Sequence, residues 1–171
     1  MVIKKGTHAP FRMPSVMLGS QELHYRVKFK ESCRYTLPSE DQADINKLIG
    51  VGYVNSIPLK GLKPVPFHHC NSVRFGWHYD PPTDTVSLWA YWYASKERKY
   101  KEICRVGIGQ EVGVHLTRKD KHHTLTVTEG TSVIGIAHAP VPASAVSYLL
   151  RPFFGGNNPA PHDIEIEINE M

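Results

Sequence analysis

Cysteine is scarce in this sequence: among 171 residues there are only Cys33, Cys70 and Cys104. Their number is odd and none belongs to a C-x-x-C pair, so neither a disulfide framework nor a zinc site is indicated. The ten histidines do not supply one either. His68 and His69, for example, would point to opposite faces of a strand. We therefore expect three reduced thiols, no metal site and no cofactor.

Long apolar segments are also missing. The N-terminal residues MVIKKGTHAPF lack the apolar stretch of about 7 to 15 residues that an export signal requires, and no window approaches the length of a membrane span. Charge of one sign does not accumulate, because 20 Lys and Arg against 16 Asp and Glu give +4 without any long basic run. We expect a protein that is cytoplasmic as synthesised, with neither a membrane nor nucleic acid as partner.

Helical periodicity is nearly absent, and alternation takes its place. Only PSEDQADINKL looks helical, for one or two turns with Ser39 as N-cap. In contrast, ELHYRVKFK and SVRFGWHY alternate as half-buried strands do. Their inward positions are predicted to be Leu23, Tyr25, Val27, Phe29, Val73, Phe75, Trp77 and Tyr79. At 41% hydrophobic residues, the chain is long enough for one core, so residues 1–171 are expected to form a single antiparallel β-sandwich or closed barrel.

The connections follow from the turn-forming residues between these strands. DPPTD, ASKERKYK and FGGNNPAP are expected to be turns or loops, and SIPLKGLKPVPF to be extended and irregular. RKDK predicts a short hairpin with Thr117 near His122. Residues 1–15 are expected to form an arm or an edge strand.

One strand is apolar or aromatic on both faces. In TVSLWAYWYAS, residues 85–95, the core positions are predicted to be Val86, Leu88, Ala90, Trp92 and Ala94. Three large rings, Trp89, Tyr91 and Tyr93, then point the other way. Loops could cover them as a second small core, they could form an open platform for sugar rings, or they could lie in an oligomer interface.

Five segments together resemble a known group: IKKGTH (3–8), NKLIG (46–50), NSVRFGW (71–77), LWAYWY (88–93) and RPFFGGNNPAPHDIEIEI (151–168). In order and spacing they resemble an uncharacterised group of bacterial and phage concanavalin A-like domains. These are relatives in fold of legume-type lectins and jelly-roll polysaccharide lyases. The resemblance covers nearly the whole chain and implies an antiparallel two-sheet jelly roll with one concave sheet, across which sugar ligands of related proteins lie.

The resulting hypothesis is a non-catalytic recognition module for a glycan or a protein surface. Its predicted ligand-binding residues are the aromatic row with three polar neighbours: Arg74, His78, Trp89, Tyr91, Tyr93 and Arg151. Arginine adds a planar fork for carboxylate or sulfate, which favours an acidic polysaccharide. Because the resembling group includes phage members, the alternative is a virion structural protein, such as a capsid decoration or tail-fibre component, that forms oligomers or binds a capsid lattice.

The other alternative is an enzyme that acts on acidic polysaccharide. Asp163, Glu165 and Glu167 share one strand face, as the paired carboxylates of a glycosidase do, but outward acids on an edge strand have the same pattern. A lyase would need a Tyr or His base near an Arg, and Tyr91 or Tyr93, His78 and Arg74 are of those types. The motifs of jelly-roll lyases, such as Arg-x-Glu-x-Arg and Gln-Ile-His, are missing. We therefore assign no catalytic residue, and RPFFGGNNPAPHDI is expected to be structural, with Phe153 and Phe154 on opposite faces.

Overall fold

The alternating segments fold into strands. A computed structural model describes residues 1–10, 15–18, 22–53, 67–120, 122–143 and 146–171. Its strands are β1 Val2–Ile3, β2 Ser15–Leu18, β3 Leu23–Phe29, β4 Asn46–Tyr53, β5 Ser72–Asp80, β6 Thr85–Ala94, β7 Glu97–Gly107, β8 Glu111–Lys119, β9 His122–Glu129, β10 Ser132–Pro140, β11 Val146–Leu150 and β12 Ile164–Glu170. One short helix, α1, spans Ser39–Gln42, and 3-10 turns lie at Glu31–Cys33 and Phe67–His69.

The strands pair into two antiparallel sheets. The first has the order β1-β12-β3-β8-β9-β10 and the second the order β2-β11-β4-β5-β6-β7. The predicted sandwich is therefore confirmed, as two sheets and not as a closed barrel. Apolar side chains from both sheets, among them Phe29, Leu88, Leu125 and Ile166, fill the space between them.

The predicted inward positions of β3 and β5 are confirmed, since seven of the eight are buried and Tyr25 is half-buried. The helix prediction holds for a single turn, although Pro38 and not Ser39 is the N-cap residue. Gln42 reaches back to accept a hydrogen bond from the Leu37 backbone N–H at 2.7 Å. This carboxamide therefore satisfies a backbone donor just before the helix.

Two local predictions are wrong. ASKERKYK is not a loop, because a tight turn at Ser95 and Lys96, with φ of +52° and +74°, leads directly into β7 at Glu97. The first residues of β7 are exposed on both faces, so they show no apolar alternation, and their charges protect the edge of the sheet. In the β8–β9 hairpin, Thr117 pairs with Thr124 and not with His122.

Candidate functional site

The outer face of the second sheet carries the aromatic row of β6. The predicted separation of its two faces is confirmed: Val86, Leu88, Ala90 and Trp92 pack in the core, whereas Trp89, Tyr91 and Tyr93 lie on the other side. Strand register extends this face into three rows across β4 to β7. They are Gly50, Arg74, Tyr91 and Tyr100; then Lys47, Gly76, Trp89 and Glu102; then Gly52, Ser72, Tyr93 and Arg98.

Two adjoining hollows lie on this face. The first, which we call the cationic hollow, has a volume of about 600 Å³ and contains Lys47, His68, His69, Arg74, Arg98 and Arg151 in its wall. The second, which we call the aromatic hollow, measures about 460 Å³ and contains Asp44, His78, Trp89, Tyr100, Glu102 and Arg105. Lys47, Tyr91 and Arg98 line both. The two hollows therefore form one groove.

Arg74 lies at the bottom of the cationic hollow. The side chain is only 6% exposed, and its Nε has no hydrogen-bond partner among the residues that the structure describes. Its position depends on Gly50, where a Cβ atom would lie 2.2 Å from the Cβ of Arg74. Burial lowers the pKa of Arg74 to about 10, while Tyr91 and Tyr148 partly oppose this shift. The guanidinium is thus still charged at neutral pH.

No carboxylate compensates this charge. Within the described residues Arg74 has no ion pair, and the residues outside that part of the chain include no Asp or Glu. The wall of the cationic hollow, as far as the structure describes it, also contains no acidic residue. A buried charge without a partner is costly, so this hollow attracts an anion.

Lys47 adds a second cation beside Tyr91. Its Nζ lies 5.3 Å from the centroid of the Tyr91 ring and donates a hydrogen bond to the Gly155 carbonyl at 3.3 Å. Burial, and after it the charge of Arg74, lowers the pKa of Lys47 to about 8. For the same two reasons the pKa of His68 falls to about 4. At neutral pH the hollow therefore combines charged Lys47 and Arg74 with a neutral imidazole.

The aromatic hollow is built around Trp89. The Trp89 Nε1–H donates to His78 Nδ1 at 3.1 Å, which leaves Nε2 to carry the proton of the neutral imidazole. Burial lowers the pKa of His78 and keeps it neutral. Tyr100, 53% exposed, meets the Trp89 ring edge-on with 5.9 Å between centroids. The aromatic hollow therefore offers the apolar ring surfaces of Trp89 and Tyr100 together with the Nε2–H of His78 as a hydrogen-bond donor.

The rings are partly accessible. Tyr91 is buried, but it lines both hollows, and Trp89 and Tyr93 are half-buried. The segment after Arg151 forms one side of the groove through Phe153, Gly155 and Gly156. As predicted for this segment, Phe154 is fully buried and Phe153 faces outward. Residues 56–66 of the predicted proline-rich connection lie outside the described residues.

The structure thus brings all six sequence-predicted residues to one groove. Arg74, Tyr91, Tyr93 and Arg151 line the cationic hollow, and His78 and Trp89 line the aromatic hollow. Sequence reasoning missed Lys47, Arg98 and Tyr100. The alternation of Arg98, Tyr100 and Glu102 was a usable signal, since it continues the outer rows of β6 onto its hairpin partner.

The three acids near the C-terminus lie elsewhere. β12 is not an edge strand, because β1 covers it, and its acids belong to the first sheet. Asp163 pairs with Lys4 at 2.7 Å and Glu167 pairs with Lys30. Among the described residues, no three His, Cys, Asp or Glu side chains are grouped as metal ligands would be. In that same part of the chain no helix is long and apolar enough to cross a membrane.

Solved structures with the same architecture define the fold class. A functionally unknown protein from Saccharomyces cerevisiae is 10% identical, with a TM-score of 0.54 over 99% of this chain and 84% of that one. The alginate lyase from Klebsiella pneumoniae is 9% identical, with a TM-score of 0.59 over 89% of this chain and 60% of the lyase. No family model and no curated protein matches the chain. The protein has the concanavalin A-like jelly-roll fold that the resemblance implied.

Proposed function

We propose that the groove on the second sheet binds a glycan that carries carboxylate or sulfate groups, and that the protein is a recognition module. The observation that carries this proposal is the buried guanidinium of Arg74, which has no carboxylate partner among the described residues. A planar guanidinium matches the two oxygens of a carboxylate or sulfate. An anionic ligand supplies the charge that the surrounding protein lacks.

The aromatic side chains favour a sugar as the carrier of that anion. Trp89 and Tyr93 lie four residues apart on the outer face of β6, and Tyr100 lies on the neighbouring strand β7, opposite Tyr91. Such rings suit the apolar C–H face of a sugar, while their polar tips suit its hydroxyl groups. The groove also has room for more than one sugar ring, because the two hollows adjoin.

Binding fits the chemical state of these groups better than catalysis does. A lyase needs a base, yet burial and the neighbouring Tyr93 raise the pKa of Tyr91 to about 12, so its phenol stays protonated. His78 accepts from Trp89 through Nδ1, so its other nitrogen carries a proton and is not free to take one. Both groups are therefore suited to donate hydrogen bonds to a ligand.

Calorimetric titration with acidic oligosaccharides, such as alginate and hyaluronan fragments, tests the proposal against neutral glucan fragments of equal length. Arg74→Gln should weaken acidic binding by about tenfold to a hundredfold, as loss of charge-assisted hydrogen bonds does. Arg26→Gln is the matched control, because Arg26 is exposed on the first sheet. Failure of every acidic fragment to bind, or equal affinity of Arg74→Gln and wild type, would refute the proposal.

The aromatic part is tested with Trp89→Ala, which should reduce affinity by about 1 to 3 kcal/mol while leaving the protein folded. Trp92→Ala provides the contrast, because Trp92 packs in the core and its removal should lower the melting temperature.

The same fragments, followed for the absorbance of an unsaturated product, test for lyase activity. The virion role and a capsid or protein partner stay predictions from the sequence, for which light scattering of the purified protein is the first test.

A further inference from the structure

The charges of the groove are divided unequally between its two hollows. The described wall of the cationic hollow has several basic side chains and no acid. The aromatic hollow contains both Asp44 and Glu102. Its one basic residue that is not shared, Arg105, already donates to Glu102 at 2.9 Å and to Asp80 at 2.7 Å. Lys47 and Arg98 line both hollows, so the acids of the aromatic hollow make the cationic hollow the more favourable of the two for an anion.

A second anionic group in the aromatic hollow would meet the carboxylate of Asp44, in addition to that of Glu102, which is paired with Arg105. Among the described residues the carboxylate of Asp44 has no hydrogen-bond or ion-pair partner, and it lies beside Gly156, on the boundary between the hollows. Like charges brought together at a binding surface are unfavourable, and this repulsion selects against ligands. Exposed ring surface from Tyr100 and half-buried Trp89 favours an uncharged sugar in the same place.

The two hollows are close enough for neighbouring sugars of one chain. Arg74 and Tyr91 share one cross-strand row, and Trp89 lies in the next row. Successive rows on one face of a strand are about 7 Å apart, because each residue advances the strand by about 3.3 Å. Tyr91 and Lys47 line both hollows, so these two side chains lie between the two sugar positions.

We propose that the groove selects glycans in which an acidic sugar is joined to an uncharged sugar, with the acid over Arg74 and the uncharged ring over Trp89 and Tyr100. This inference rests on the proposed function and narrows its ligand class. A homopolymer of uronic acids places a carboxylate in both hollows, so it binds more weakly. An alternating uronate and N-acetylhexosamine polymer has the required order.

The test compares tetrasaccharides of hyaluronan or heparosan with tetrasaccharides of polygalacturonate or polymannuronate by calorimetry. The alternating fragments should bind more tightly than the homopolymers. Asp44→Asn should strengthen homopolymer binding by about two- to fivefold relative to the alternating fragments, the size typical of one solvent-screened charge pair. Glu97→Gln removes the same charge from an exposed position of β7 outside the groove and should change neither.

Equal or tighter binding of the homopolymers by wild type would overturn this inference, as would an Asp44→Asn protein with unaltered discrimination. Tyr100→Ala gives a second measurement that does not depend on Asp44. Because Tyr100 is 53% exposed, its removal should leave the fold intact and weaken the alternating fragments more than the homopolymers. Equal loss for both fragment types would also contradict the assignment. Failure of all acidic fragments to bind refutes the proposed function itself, which is a distinguishable outcome.

Discussion

The titration of Lys47 should make the affinity of the groove for an anion depend on pH. Burial and Arg74 lower its pKa to about 8, while Asp44 acts in the opposite direction. A bound anion should raise this pKa back toward the ordinary lysine value of 10.5. Because the protonated amine attracts the anion, affinity should be full below the pKa of the free protein and fall as the pH rises through it.

The size of the effect follows from that pKa. At about pH 9, roughly one Lys47 amine in ten stays protonated in the free protein, so affinity should be about tenfold lower than at about pH 7. Other groups around Lys47 do not obscure the effect. Arg74 keeps its charge, the pKa of Tyr91 is raised to about 12, and the pKa values of the two neighbouring histidines are lowered.

The assay is calorimetry with one acidic oligosaccharide between about pH 7 and about pH 9 at constant ionic strength. Lys47→Arg keeps the charge throughout and should give a flat, high-affinity profile. Lys47→Gln should give a flat profile at lower affinity. If Lys47→Arg shows the same tenfold decrease as wild type, the titrating group is not Lys47 and the argument is refuted.

Arg74→Met should preserve or raise the free energy of unfolding in urea while acidic-glycan binding is lost, because an apolar side chain replaces an unpaired buried charge; a large loss of stability would contradict this. Acidification from about pH 6.5 to about pH 4 should reduce the free energy of unfolding by up to about 1.4 kcal/mol per pH unit. The reason is that burial lowers the pKa of His123, which bonds Tyr53 at 2.6 Å, to about 4, so the unfolded chain binds the extra proton. His123→Gln should make this part of the profile less steep, and His68, whose pKa is also lowered to about 4, should account for part of the remaining slope. Gly50→Ala should cost about 1 to 3 kcal/mol in the same assay. Gly107→Ala, whose Cβ would find its nearest neighbour at 3.6 Å, should cost much less.

The fold and the aromatic row could be predicted because both depend on local alternation. Each face of β6 keeps one environment along the strand, so Leu88 and Ala90 enter the core while Trp89 and Tyr91 do not. The same parity separates Phe153 from Phe154. Side-chain direction on a strand needs no knowledge of which strand lies beside it.

The cationic hollow could not be predicted in this way. A bulge in β4 between Lys47 and Gly50 lets both lie on the outer face although they are three residues apart, which breaks the period of two. The burial of Arg74 depends on Gly50, a glycine on the neighbouring strand. Arg98 lies on β7, whose exposed first residues hide its strand character. These features depend on register between distant segments.

The ion pairs of other arginines in the molecule explain why the unpaired Arg74 indicates a ligand site. Arg34 donates to Asp84 at 2.6 Å, and Arg105 donates to Asp80 at 2.7 Å, although both are far more exposed than Arg74. The chain therefore places carboxylates next to arginines where they contribute little to stability, and none of its described acids pairs with the arginine whose burial costs most. A fold that needed Arg74 only for packing would be better served by an apolar side chain. The presence of Arg74 at this position is explained if the missing carboxylate arrives with the ligand, and then the charge that destabilises the free protein strengthens the complex.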